Sequence, residues 1–101
     1  MPYLIYAIDH DGMDEVREAL RQAHRDHLGS AGVKLLGSGA LLDDDGVKII
    51  GGLSVLDTDD KQEAQRFADS DPYSIAGIRK TTTIVRWRRR WQDGAFLADV
   101  D

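Results

Sequence analysis

Residues 3–9 read Tyr3-Leu-Ile-Tyr-Ala-Ile-Asp9, YLIYAID, an apolar, β-branched and aromatic run that ends at the turn-forming His10-Asp11-Gly12. It reads as a strand. A half-buried sheet alternates apolar with polar side chains, and this strand does not. Tyr3, Ile5 and Ala7 are apolar on one face, and Leu4, Tyr6 and Ile8 on the other. The stretch 47–57 (VKIIGGLSVLD) repeats the pattern, with Ile49, Leu53 and Val55 opposing Ile50 and Leu56. Two-faced strands of this kind decide both the fold and its assembly.

Working outward, Asp11 or Asp14 can cap a helix whose first turn holds the acidic Asp14 and Glu15. At about 100° per residue, Val16, Ala19, Leu20, Ala23 and His27 fall on one stripe. Gly29-Ser-Ala-Gly32 stops the helix. Residues 33–42 form a second strand, 43–46 (DDDG) a hairpin loop, and 47–57 the third strand. Thr58-Asp-Asp-Lys61 caps a second helix with Ala64, Phe67 and Ala68 buried, and Pro72 ends it. Residues 78–89 make the last strand. The order is βαββαβ, an α+β ferredoxin-like pattern with a four-stranded antiparallel sheet and both helices on one face. Two helices cover one face only. An apolar patch as large as the other face calls for a second copy of the chain, so a homodimer is expected. No repeat, linker or low-complexity segment divides residues 1–101, which are expected to form a single domain.

The 101 residues, 42% hydrophobic and 31% charged, are enough for one modest core. A net charge of −5 disfavours a general nucleic-acid binder. The chain has no cysteine, which removes disulfides, thiolate metal sites and thiol catalysis. No stretch approaches the roughly 20 apolar residues of a membrane span, and MPYLIYAIDHDG lacks the features of a signal peptide. A cytoplasmic protein without nucleic-acid or membrane partners is expected.

Few residues carry recognisable chemistry. His24 and His27, three apart on the first helix, could reach one metal ion. A site needs a third ligand, however, the Asp43–Asp45 hairpin loop reads as solvated, no HExxH-type motif is present, and no metal is expected. His27, central in the stripe, reads as a packed core histidine. His24 lies at the stripe's edge beside Arg17, Arg21 and Leu28, where it could face a cleft, and the arginines could hold an anion. Spacing alone does not separate that reading from ordinary helix surface. Asp71 before Pro72 suits a structural carboxylate. In Arg86–Trp91 (RWRRRW), a strand would place Arg86, Arg88 and Arg90 on one face and Trp87 and Trp91 on the other, which suits an edge or interface better than nucleic acid.

Several separated stretches resemble one family. Arg17-x3-Arg21-x2-His24-x2-His27-Leu28 is followed by Gly39-Ala-Leu-Leu-Asp-Asp-Asp-Gly46, Gly51-Gly-Leu53, Asp71-Pro-Tyr73-x2-Ala76-Gly77 and Ile84-x2-Trp87. Together they are similar to the YCII-related family of the dimeric α/β-barrel group, over a core of about residues 3–88, with 89–101 as a tail. The resemblance implies a His–Asp pair, carried here by His24 and Asp71 as catalytic residues. Arg17, Arg21 and Tyr73 are the expected ligand-binding residues, for an anionic or aromatic small molecule. Ala40 and Arg86 stand where the family commonly has Pro, and His27 where Tyr or His is typical, which leaves the shape of the substrate open. The implied activity is cofactor-free acid–base chemistry of the lyase or isomerase kind, including dehydrochlorination of aromatic-derived compounds. A non-catalytic dimeric ligand-binding or accessory protein is the alternative. A purely structural dimer module is a third possibility.

Overall fold

A computed structural model describes residues 1–98. Residues 99–101 of the expected tail lie outside the described residues. The chain runs β1 (Tyr3–Asp9), α1 (Asp14–Gly29), β2 (Leu35–Leu42), β3 (Ile49–Leu56), α2 (Lys61–Asp69), α3 (Pro72–Ile75) and β4 (Arg79–Arg86), then β5 (Trp91–Gln92) and β6 (Ala95–Phe96). The first four long strands form one antiparallel sheet in the order β2-β3-β1-β4. This is the α+β, ferredoxin-like arrangement expected from the element order.

β1 is central, and its register sets the two faces. Ile5 lies opposite Ser54 and Ile84, and Ala7 opposite Gly52 and Thr82. On this face Tyr3, Ile5 and Leu56 pack with Ala64 and Ala68 of α2, flanked by Phe67 and Ile84. Burying each large apolar side chain here contributes about 1.5–3 kcal/mol. The other face carries Leu4, Ile8 and Leu53, half-buried, with Tyr6 and Val85 exposed. Gly51 is demanded by the sheet itself. A Cβ there would stand 2.1 Å from the carbonyl oxygen of Ala7.

Four details depart from the sequence reading. Neither Asp11 nor Asp14 caps α1. Met13 occupies the N-cap without a side-chain bond, and Asp14 instead accepts from Arg17 Nη1 at 3.0 Å. The inward stripe of α1 is also turned by about one residue. Arg17 is buried and Leu20, His24, His27 and Leu28 are half-buried, whereas Val16, Ala19 and Ala23 are exposed. An ion-paired arginine has taken a place that hydropathy assigns to an apolar side chain. Thirdly, a third helix follows α2. Asp71, held extended before Pro72, accepts from Tyr73 N–H at 3.0 Å and caps α3. Finally, strand ends move. A 3-10 turn at Gly32–Lys34 delays β2. The Asp43 carboxylate accepts from the Val47 and Lys48 amides, holding them in the loop before β3.

β4 stops at Arg86, short of the expected residue 89, and the Arg and Trp side chains beyond it do not alternate on one strand. The chain turns at Asp93 and Gly94, both at positive φ (53° and 80°), and pairs β5 with β6. That two-residue turn matches the natural twist of a hairpin. Trp91 rests on Phe96 with ring centroids 5.2 Å apart, and both rings remain more than half exposed. No helix of the described residues is long and apolar enough to cross a membrane.

Candidate active site

The inward face of α1 points its polar side chains at the end of the sheet where β1, β3 and β4 meet. His24 Nδ1 lies 2.8 Å from Asp71 Oδ1, across 47 residues of sequence. A carboxylate accepts only, so Nδ1–H donates, and in the neutral imidazole Nε2 carries the lone pair. No group among the described residues hydrogen-bonds Nε2. The imidazole stacks on the Tyr73 ring at 4.0 Å with 7° between planes. Tyr73 is itself fixed, its hydroxyl donating to the Arg17 carbonyl at 3.2 Å. Burial pushes the Tyr73 phenol above its ordinary pKa, so it stays neutral. His24 is thus held at its edge by Asp71 and on its face by Tyr73.

Burial would raise the Asp71 carboxyl, but the hydrogen bonds from His24 and from Tyr73 N–H, with the charges of His24 and Arg79, outweigh it and hold the group below the usual carboxylate range. Two residues outside the sequence reading, buried Asp9 and half-buried Arg79, complete the surroundings. Asp9 closes β1 on the buried face and bridges two guanidiniums, Arg17 Nη2 at 2.7 Å and Arg79 Nη1 at 2.8 Å. Arg79 Nη2 reaches within 3.9 Å of Asp71 Oδ2, and its guanidinium lies 5.3 Å from the Tyr73 ring centre. A signal for Asp9 exists in the sequence, because it shares the side of β1 that carries Ile5 and Ala7, and a buried carboxylate needs cationic partners. Arg79 gives none until the β1–β4 register places it opposite Asp9.

The expected ligand-binding residues divide. Arg17 is buried and engaged with Asp9 and Asp14, and its Nε has no partner among the described residues. Arg21 is half exposed and pairs with Glu18 at 2.9 Å, a surface pair of little strength that leaves it available. Tyr73 presents its ring to His24. All three line a groove of about 360 Å³ together with His24, Arg25, Gly52 and Arg79. Behind it lies a small pocket of about 40 Å³ between helices and sheet, reached by His24, Asp71 and Arg79 and floored by Ile5 and Ala7. His27 stands apart, with Nε2–H donating to the Phe67 carbonyl at 2.7 Å and its ring stacked on Phe67. Among the described residues no three His, Asp or Glu side chains are grouped so as to hold a metal ion.

No curated protein matches the chain. Among solved structures it resembles the 5-chloro-2-hydroxyhydroquinone dehydrochlorinase TftG of Burkholderia phenoliruptrix AC1100, determined in complex with 2,5-dihydroxybenzoquinone. The two are 27% identical, the match covers 86% of this chain and 93% of that one, and the TM-score is 0.77. The model of the YCII-related domain matches residues 1–88, and the chain belongs to the YCII-related family.

Proposed function

We propose that the groove is the active site of a small-molecule lyase or isomerase working by proton transfer at His24, without a cofactor. The observation that carries this reading is the 2.8 Å bond from His24 to Asp71 at the wall of the groove, and Nε2 is read as the base. Asp71 fixes the tautomer and stabilises the imidazolium formed on proton uptake. Arg21, with Arg17 behind it, supplies positive charge for an anionic or aromatic substrate. In an elimination, Nε2 takes a proton from the substrate and the electron pair left behind forms the new double bond. The leaving group departs with its own bonding pair, and the imidazolium returns its proton to solvent. The likeness to a dehydrochlorinase favours chloride as that leaving group and a hydroxylated ring as the substrate. The chain is read as a homodimer through the open sheet face, working in the cytoplasm.

The test is chloride release from a panel of chlorinated hydroquinones. His24→Ala should abolish turnover without unfolding the protein, and Asp71→Asn should lower it by about 10²–10⁴-fold. Arg21→Ala should chiefly raise KM. Unchanged turnover by His24→Ala would remove the reading. A second reading, a non-catalytic ligand-binding or accessory protein, draws on the double duty of Asp71. The same Oδ1 that meets His24 also caps α3, so the pair could be a structural tie. Saturable binding across the panel without turnover would favour it.

A further inference from the structure

Beyond Arg17, Arg21 and Arg25, the groove contains a further guanidinium, that of Arg79, whose chemistry the His–Asp pair leaves unused. Arg79 is fixed by a single strong hydrogen bond, Nη1 to Asp9 at 2.8 Å. Its Nη2 has no hydrogen-bond partner among the described residues, because Asp71 Oδ2 at 3.9 Å is beyond that range. The side chain is 13% exposed and lines both the groove and the small pocket behind it, as His24 does. Its approach depends on the absence of a side chain on β3. A Cβ at Gly52 would lie 3.2 Å from Nη2. A guanidinium held at one nitrogen, with another open beside a proton acceptor, is the arrangement an oxygen anion requires.

We propose, building on the acid–base reading, that Arg79 binds the substrate's oxygen anion and that Asp9 is its positioning residue. The O–H bond of the substrate breaks, its proton passes to His24 Nε2, and the electron pair first rests on oxygen, where Arg79 Nη2 donates to it. That pair then forms the new C=O double bond as the leaving group departs with its own pair. Charge balance favours this assignment. With His24 neutral, the buried Asp9 and Asp71 carboxylates match the Arg17 and Arg79 guanidiniums. Proton uptake by His24 adds one positive charge, which the new oxyanion offsets. The ligand class is therefore a hydroxylated ring or enol that ionises next to the base. Arg17, with two carboxylates on its fork, holds Asp9 in place and does not touch the ligand.

The probes are 2,5-dihydroxybenzoquinone, which ionises, and 2,5-dimethoxybenzoquinone, which does not, with binding measured by calorimetry on the wild-type protein and variants. Arg79→Gln should weaken the dihydroxy probe by about tenfold or more and leave the dimethoxy probe nearly unchanged. Arg79→Lys, which keeps the charge and loses the planar fork, should fall between. Gly52→Ala leaves every charge in place and crowds Nη2 by a few tenths of an ångström, so it should weaken the dihydroxy probe more than the dimethoxy probe even where Arg79→Gln fails to fold. A purely structural Arg79 would weaken both probes alike, and that result overturns the proposal. So does a wild-type protein that binds neither probe, or a Gly52→Ala protein with undiminished preference for the dihydroxy probe. His24→Ala separates the two readings. Loss of turnover with retained affinity supports both, and retained turnover defeats the acid–base reading while the Arg79 affinities still decide the anion site.

Discussion

At the scale of the residue, Asp71 does two jobs with one oxygen, accepting from His24 and from the Tyr73 amide. Its carboxyl is held below the ordinary value in the folded protein, so it contributes stability that is fully present above about pH 3.9. That contribution is lost as pH falls through the lower folded-state value. Urea midpoints measured from about pH 5 downward should therefore fall more steeply for the wild type than for Asp71→Asn. Exposed Asp59 and half-buried Glu63 are also lowered, chiefly by hydrogen bonds from the N-terminus and from Lys34, but both remain in the variant and cancel in the comparison. Equal acid limbs would show that Asp71 is not held below its ordinary value in solution. His27, on the same helix, takes no part. Its hydrogen bond to the Phe67 carbonyl ties α1 to α2.

At the scale of the element, β3 passes β1 so closely that Gly51 meets the Ala7 backbone. Gly51→Ala forces backbone to move rather than a side chain, at a cost of at least about 1–3 kcal/mol. In a domain of this size that lowers the melting temperature by roughly 4 °C or more, whereas alanine at Gly39, with open space around it, should leave the temperature nearly unchanged. The strands and their order were legible because apolar runs, Gly-rich turns and Pro72 mark them directly. The face of α1 was not. Hydropathy weighs Val16 and Ala19 above Arg17, yet Arg17 is the residue that turns inward, drawn by a carboxylate in another element. The short α3 was hidden for a related reason. Its start is written by Asp71 and Pro72, which also read as the end of α2. The His24–Asp71 pairing came from family resemblance, since a separation of 47 residues has no local signature. Asp9 and Arg79 needed the register of β1 against β4.

At the scale of the whole molecule, the sheet is covered by helices on one side, while Tyr6 and Val85 remain exposed on the other beside Leu4, Ile8 and Leu53. Sedimentation should show a dimer at micromolar concentration, and a monomer would defeat the assembly reading. The β5–β6 hairpin keeps Trp91 and Phe96 largely exposed, and the dimer should be weaker in a chain truncated at Arg90. Unchanged dissociation would show that the hairpin plays no part in assembly. The central place of β1 has one more consequence, in time rather than in space. As the chain leaves the ribosome, Tyr3 must wait for Leu56 on one side and for Arg86 on the other. Pairings so distant in sequence form slowly, and the strand that waits is one of the two that are apolar on both faces. His24 likewise emerges long before Asp71, Tyr73 and Arg79. A nascent chain stalled before β4 should be without binding activity and adhesive, and pulse-labelled hydrogen exchange during refolding should protect β1 no earlier than β4.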